Sequence, residues 1–292
     1  MDRFKEVKIA SILGIISNIF LLIIKGCVGF ITNSQAMIAD TFNSASDIFS
    51  SAMTFIGNKI ASIPSDDDHN LGYGKAEYIY SLIISIAMFI MAFITFKDSL
   101  ISLFNPSQYN FSIWLVFVCI VTIVVKFLLY IYTKRISIKY NNLLIEANSK
   151  DHRNDCIITL FNLISCLLAE REIYVFDGIT GIGISLWIIM TAIKIFIESY
   201  DVLMDKSISL DTKNKVLDII KGHKEIKKVI HFNSTPVGYK YQISFTIYVD
   251  GNLSTFESHN IANNLEKEIA RKIDEVYLTV IHVNPIDIKK GK

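Results

Sequence analysis

Two pairs of oxygen-bearing side chains, each with a four-residue spacing, are the feature of this sequence best suited to chemistry. Asn43 and Asp47 form one pair, and Asp151 and Asp155 form the other. Because residues four apart share one face of an α-helix, each pair would present two donors in the same direction. Two such helices facing each other would create a cation site, since an ion compensates carboxylates that are otherwise buried without a partner. The alternative is that the pairs line a contact between helices.

Both pairs lie within long apolar stretches, where an ionisable group usually marks a functional path if the stretch crosses a membrane. About 20 mostly apolar residues are enough to cross the bilayer core as a helix. Six stretches reach that length, and the two that carry the pairs are the least apolar. The six cover about 9–32, 36–62, 77–104, 111–133, 141–168 and 176–200.

The composition indicates a membrane protein with a soluble tail. Of the 292 residues, 51% are hydrophobic and 20% are charged, and the mean hydropathy is +0.41. We therefore predict a six-span transmembrane domain over 1–207 and a separate domain over 208–292. Basic residues are more numerous before span one and after spans two and four, which predicts that both termini are cytoplasmic. The formal net charge of +1 does not suggest a nucleic-acid partner.

The pattern after residue 208 predicts a small α+β domain. Helices are expected near 211–222 and 254–273, and strands near 227–235, 239–249 and 276–283. The order αββαβ predicts helices on one face of a sheet. Because a domain this small has little core of its own, we expect it to dimerise.

These segments together resemble the cation diffusion facilitator family, whose members are six-span dimeric metal transporters with a cytoplasmic metallochaperone-like domain. The resemblance covers essentially the whole chain. Its motifs are Asn18, Lys25 and Gly29 in span one, NSQAMIADTFNSASD at 33–47, HNLGYGKAE at 69–77, DHRND at 151–155 and LMD at 203–205. The resemblance implies a homodimer in the cell membrane that exports a divalent metal through a site formed by Asn43, Asp47, Asp151 and Asp155.

The donor types predict which metal is carried. Zinc-transporting members of the family typically have histidine in at least one of the two pairs, and this chain has none. His152 follows a site position but lies about 100° further round the helix, so it should not join the cluster. Oxygen donors suit a harder ion, and a manganese carrier gains by omitting nitrogen ligands that would hold zinc or copper more strongly. We predict Mn²⁺ as the cargo, with Zn²⁺, Fe²⁺ and Co²⁺ as alternatives, and no required cofactor.

The resemblance also implies exchange of the metal for protons. Carboxylates in apolar surroundings resist ionisation, so protons and metal should displace each other. Rocking of the spans against one another would then give alternating access. A channel or a metal-sensing membrane protein is the alternative from another class, although most spans lack the polar lining of a channel. The sequence has no P-loop, dinucleotide-binding or metalloprotease motif, so we do not predict an enzyme.

Several further positions match secondary features of the family. In the loop after span two, Asp66 and His69 match a metal site whose last histidine is replaced here by Tyr73, and a solvated acidic loop is the alternative. Lys75 and Asp205 match a charge pair near the dimer centre, with an exposed surface pair as the alternative.

The tail histidines His231, His259 and His282 match a cytoplasmic metal site of the family. Two other usual ligands of that site are replaced here by Ser244 and Asn284. A weak site is therefore one interpretation, and three unrelated surface or core histidines are the other.

Overall fold

The structure is a computed structural model that describes residues 3–31, 35–104, 113–169 and 175–286. Within those ranges, the side chains at 29, 35–40, 42, 43, 45, 46, 102, 115, 162, 165–169, 175–178 and 180 lie outside the description. The described chain divides into two units, one comprising residues up to 63 and 76–200, and the other comprising 64–75 and the residues from 201 onward.

The first unit consists of six long helices. They are α1 (Arg3–Ile31), α2 (Gln35–Ala61), α3 (Ala76–Phe104), α4 (Ile113–Tyr140), α5 (Leu143–Ala169) and α6 (Val175–Leu203). Each has 27 to 29 residues, which gives a length of roughly 40 Å and is enough to cross the bilayer core.

Four of these helices are apolar enough to be membrane spans, namely those that contain Arg3–Val28, Ala76–Ile101, Val116–Tyr140 and Gly181–Leu203. The prediction of six apolar spans is therefore confirmed only in part. The other two helices, α2 and α5, carry the polar pairs, and those residues lower the apolar character of the helices. Helix α4 also continues past the predicted end at 133, so Lys134 and Arg135 lie in its last turns rather than in a loop.

Helix α5 contacts three other helices of this unit. Helix α1 packs along α2 and α4, and α5 packs against α2, α3 and α4. A buried cluster that includes Ile84 and Met88 of α3, Leu144 of α5 and Ile188 of α6 joins three of the helices. Large apolar side chains such as Leu128 remain exposed on the outer faces, as expected for surfaces that contact lipid.

The second unit has the predicted αββαβ order. Its elements are α7 (Leu210–Gly222), β1 (Lys228–Val237), β2 (Lys240–Asp250), α8 (Thr255–Lys272) and β3 (Val276–Ile286). Strand β2 is central, antiparallel to β1 and parallel to β3. Val216 of α7, Ile243 of β2 and Leu265 of α8 are fully buried in one core, so both helices cover the same sheet.

The loop before α3 packs onto the turn that joins β1 and β2. A Cβ atom at Gly74 would lie 2.8 Å from the Gly238 Cα atom. Gly238 itself has a φ of +61°, which favours glycine. This contact explains why residues 64–75 belong to the second unit rather than to the helical one.

Candidate metal centre

Three carboxylates from two helices converge inside the helical unit. Asp47 of α2 and Asp151 and Asp155 of α5 each offer an oxygen atom, and these atoms all lie within 4.8 Å of one another. The four-residue spacing on α5 aligns Asp151 with Asp155, and the packing of α2 against α5 brings Asp47 to them. Asp47 and Asp155 are buried. The structure thus brings together three of the four predicted transport-site residues, and their role as metal ligands stays a prediction.

The fourth predicted ligand, Asn43, lies one helical turn before Asp47 on α2. The backbone of α2 is helical at this position, but the Asn43 side chain lies outside the described residues. Its contribution to the site also stays a prediction.

One residue at the centre of the site was missed by the sequence analysis. The Lys126 side chain extends from α4, and its Nζ atom donates to Asp47 Oδ2 at 2.6 Å and to Asp155 Oδ2 at 2.7 Å. Lys126 is fully buried. The sequence does contain a signal, because Lys126 is a charged residue inside the apolar stretch of α4, and such residues usually have a function.

The group carries more negative than positive charge. Three carboxylates face the ammonium group of Lys126, and the buried Lys25 of α1 also acts electrostatically on Asp47. Asp151 Oδ2 is a buried atom without a hydrogen-bond partner among the described residues. A cavity of about 30 Å³ adjoins the group and is lined by all three carboxylates, by Asn154 and by α3 residues such as Met91. This volume exceeds the roughly 10–15 Å³ that one ordered water molecule needs. The unpaired oxygen of Asp151 beside such a space suits a small cation with oxygen ligands.

His152 lies on a different side of α5. It is fully buried, and a Cβ atom at Gly14 of α1 would lie 3.8 Å from its Nε2 atom. The group of candidate ligand atoms among the described residues does not include this imidazole. Its ring is therefore directed toward α1, in line with the 100° rotation between consecutive helix positions.

A second buried cluster fixes the start of α5. Arg3 of α1 donates to Glu77 Oε2 of α3 at 2.6 Å, and the Leu143 N–H donates to Glu77 Oε1 at 3.1 Å. Glu77 is 1% exposed. Its carboxylate therefore joins α1 and α3 to the first turn of α5, where free backbone N–H groups favour a negative charge. The cluster holds the helix that carries Asp151 and Asp155.

The predicted loop residues Asp66 and His69 lie close together, but they form hydrogen bonds within the loop. Asp66 Oδ1 accepts the His69 backbone N–H at 2.6 Å, and Asp66 Oδ2 accepts the Tyr73 hydroxyl at 2.8 Å. The Tyr73 hydroxyl and the His69 backbone N–H both lower the pKa of the Asp66 carboxyl. The His69 and Tyr73 rings are 4.2 Å apart. Tyr73 thus occupies the position where the family has a second histidine, and the loop stays a candidate site without that ligand.

Replacing Tyr73 by His should increase the affinity of this loop for zinc by about tenfold or more, because an imidazole would replace the hydroxyl that holds Asp66. The measurement is a zinc titration by calorimetry in an Asp151→Asn background, so that the buried group does not contribute. Tyr73→Phe is the control, since it removes the hydroxyl and adds no ligand. Equal zinc affinity for the two variants would show that the loop geometry is not that of a metal site.

The predicted charge pair is formed within the second unit. Lys75 Nζ donates to Asp205 Oδ1 at 2.7 Å, and the two side chains are 39% and 55% exposed. An ion pair with this exposure contributes under about 1 kcal/mol within one chain. Its position near a dimer centre stays a prediction.

The tail histidines lie on three different elements. His231 is in β1 beside a register shift and has a φ of 54°, His259 is in α8, and His282 of β3 faces Thr246 of β2. Among the described residues, the carboxylate group of Asp47, Asp151 and Asp155 is the single cluster of three or more candidate ligands. One chain therefore does not assemble a histidine cluster in the described part of the tail.

Comparisons with known proteins match both parts of the chain. The sequence profile of the cation efflux transmembrane domain matches residues 11–204, and that of the cation efflux protein cytoplasmic domain matches 208–286. The manganese efflux system proteins MneP and MneS of Bacillus subtilis are each 27% identical to this chain. The matches cover 94% and 99% of this chain and 95% and 100% of those proteins. The cation-efflux pump FieF of Shewanella oneidensis is 26% identical over 97% of this chain and 95% of that pump.

The apolar helices and the two profile matches define an integral membrane protein that transports cations. The chain belongs to the cation efflux family, also called the cation diffusion facilitators, and is a divalent metal cation efflux transporter. The family transports cations, so membership favours transport over the channel and sensor alternatives, and over an enzyme.

Proposed function

We propose that this transporter exports Mn²⁺ from the cytoplasm in exchange for protons. The observation that carries the proposal is the group of three carboxylates on α2 and α5, in which Asp151 Oδ2 has no hydrogen-bond partner among the residues that the structure describes. A divalent ion would receive the oxygen donors that hard cations prefer. It would also balance negative charge that the ammonium groups of Lys126 and Lys25 leave uncompensated.

The donor type favours manganese. In the described group every candidate ligand is a carboxylate oxygen, and Asn43 would add an amide oxygen. Mn²⁺ is the weakest binder of the divalent first-row series at a common site, so nitrogen or sulfur ligands would favour its competitors. The names of MneP and MneS as manganese efflux proteins support the same cargo. Zn²⁺, Fe²⁺ and Co²⁺ are the alternatives.

The exchange with protons follows from charge balance. After the metal leaves, three carboxylates would face the ammonium groups of Lys126 and Lys25, and protons are the cations that can replace the metal there. We propose that all six helices cross the membrane and that rocking of the helices exposes the site to each side in turn. Helices α2 and α5 can cross despite their polar residues because Asp47, Asp151 and Asp155 are directed into the helical unit.

The proposed assembly is a homodimer in the cell membrane, with both termini in the cytoplasm. The profile that matches residues 208–286 is named ZT_dimer, which supports pairing through the C-terminal domain. The excess of basic residues in the first turns of α1 and near the ends of α2 and α4 supports the orientation.

The test is metal flux into proteoliposomes with a controlled proton gradient. The wild type should carry Mn²⁺ faster than Zn²⁺, and an opposing proton flux should appear with the metal. Asn43→His should gain zinc flux of about tenfold, because an imidazole favours zinc. Asp98→Asn, at an exposed position of α3, is the matched control and should behave as the wild type.

The choice of cargo and the exchange with protons can each be contradicted by a separate result. Faster zinc than manganese flux in the wild type would refute the assignment of the cargo while leaving metal transport intact. Metal flux that is independent of the proton gradient would refute the exchange.

A further inference from the structure

The ammonium group of Lys126 lies where a transported ion would bind. It is within 2.7 Å of oxygens from both α2 and α5, and these belong to the same carboxylates that form the candidate site. Lys126 is fully buried, so water does not screen its two ion pairs. Charge-assisted hydrogen bonds of this length are among the strong ones in proteins.

A divalent ion and the Lys126 ammonium group cannot occupy the site at the same time. The oxygens lie within 4.8 Å of one another, so an ion bound among them would stand close to an ammonium that keeps its present contacts. Two positive charges this close repel strongly in a buried site. The metal also needs the carboxylate oxygens that the ammonium now engages. The lysine stem is flexible and can move its charged end away.

We propose that Lys126 is a tethered competitor for the transported ion. Its ammonium binds Asp47 and Asp155 in the metal-free protein and withdraws when a divalent ion enters. This inference rests on the proposed function, and it adds a residue on α4 that sets the affinity of the site. A lysine that is covalently part of the protein is always present at the site, so it lowers metal affinity by a constant factor.

The competition has two consequences for transport. A bound metal is released more readily, because the lysine returns to the carboxylates as the metal leaves. The empty site also keeps one fixed positive charge, which reduces the cost of holding the carboxylates in a buried place while the carrier reorients. A monovalent ion gains less than a divalent ion from the same carboxylates, so the competition favours divalent cargo.

The test is the equilibrium affinity for Mn²⁺ of purified full-length protein, measured by calorimetry together with the kinetics of Mn²⁺ flux. Lys126→Met keeps a similar stem without the charge and should bind Mn²⁺ about tenfold more tightly, since two charge-assisted contacts no longer compete. Its flux should show a lower KM and a lower kcat, because release and return become slower. Lys134→Met is the matched control, since Lys134 is an exposed lysine two turns further along α4 and its loss should change neither quantity.

Lys126→Arg provides a second test if removal of the charge prevents folding. A guanidinium keeps the charge and can donate two parallel hydrogen bonds to a carboxylate, so it should compete better and weaken Mn²⁺ binding by about tenfold. Weaker or unchanged binding by Lys126→Met would overturn the proposal, as would unchanged or tighter binding by Lys126→Arg. A purely structural lysine would give weaker binding in both variants.

The proposed function can fail independently of this inference. If Asp151→Asn binds Mn²⁺ as well as the wild type, the carboxylate group is not the site, and the role of Lys126 falls with it. If Asp151→Asn loses binding while Lys126→Met is unchanged or weaker, the site stands and only the competition is refuted.

Discussion

Replacement of Asp151 by Asn should weaken Mn²⁺ binding strongly and, at the same time, stabilise the metal-free protein. The loss of one carboxylate ligand should weaken binding by roughly 100-fold, because affinity for hard cations depends on the charge of their ligands. The opposite effect on stability arises because Asp151 Oδ2 is buried without a partner in the described part of the chain, and because the carboxylate repels its two neighbours. An unsatisfied buried group costs about 1–3 kcal/mol.

The measurements are Mn²⁺ titration by calorimetry and the thermal unfolding temperature of the metal-free protein in detergent. The unfolding temperature should rise by a few degrees in Asp151→Asn, in line with a gain of about 1 kcal/mol or more. Asp98→Asn removes an exposed carboxylate on α3 and should change neither quantity. Unchanged binding together with a lower unfolding temperature would mean that Asp151 has a structural role and not a ligand role.

Replacement of Glu77 by Ala should cause the largest loss of stability. Glu77 is 1% exposed and Arg3 is 9% exposed, so the variant would leave a buried guanidinium without its carboxylate. Removing one partner of a buried ion pair costs about 3–5 kcal/mol. The Leu143 N–H at the start of α5 would lose its acceptor as well. We expect a fall of the unfolding temperature by several degrees and loss of flux at physiological temperature.

A matched control for Glu77 is available on α1. Glu6 accepts a hydrogen bond from Lys139 at 2.9 Å, and the lysine is 56% exposed, so Glu6→Ala should cost no more than about 1 kcal/mol. The double variant Arg3→Met/Glu77→Leu should lose less stability than the sum of the two single changes, because neither charge is left alone. Equal unfolding temperatures for Glu77→Ala and Glu6→Ala would show that the buried pair does not stabilise the start of α5.

The sequence predicted those parts of the site that depend on local geometry. The alignment of Asp151 with Asp155 follows from helix periodicity alone, and the αββαβ tail follows from alternation and turn residues. The proximity of Asp47 needed one more assumption, that the two least apolar stretches face each other. The structure places α2 against α5, as a buried group of carboxylates requires.

The features that were missed depend on long-range packing. Lys126 and Asp47 are 79 residues apart in the chain. No local sequence pattern predicts which helix the Lys126 side of α4 contacts. Arg3 and Glu77 are 74 residues apart, so their pairing is equally invisible to a periodicity argument. A lone lysine in an apolar stretch was nevertheless a readable signal, because such a residue needs a partner with negative charge. The polar pairs on α2 and α5 explain why four of the described helices, and not six, qualify as spans by apolar character.

The central claim is that Asp47, Asp151 and Asp155 bind the transported ion, and the most direct test is to locate Mn²⁺ in the protein. Crystals of the full-length protein soaked in Mn²⁺ would be measured near the manganese absorption edge, where anomalous scattering identifies the metal. We predict a peak among the three carboxylates at about 2.1–2.2 Å from their oxygens, and no such peak in Asp151→Asn crystals. A peak confined to the loop residues Asp66 and His69 or to the tail histidines, with the carboxylate group empty, would contradict the account.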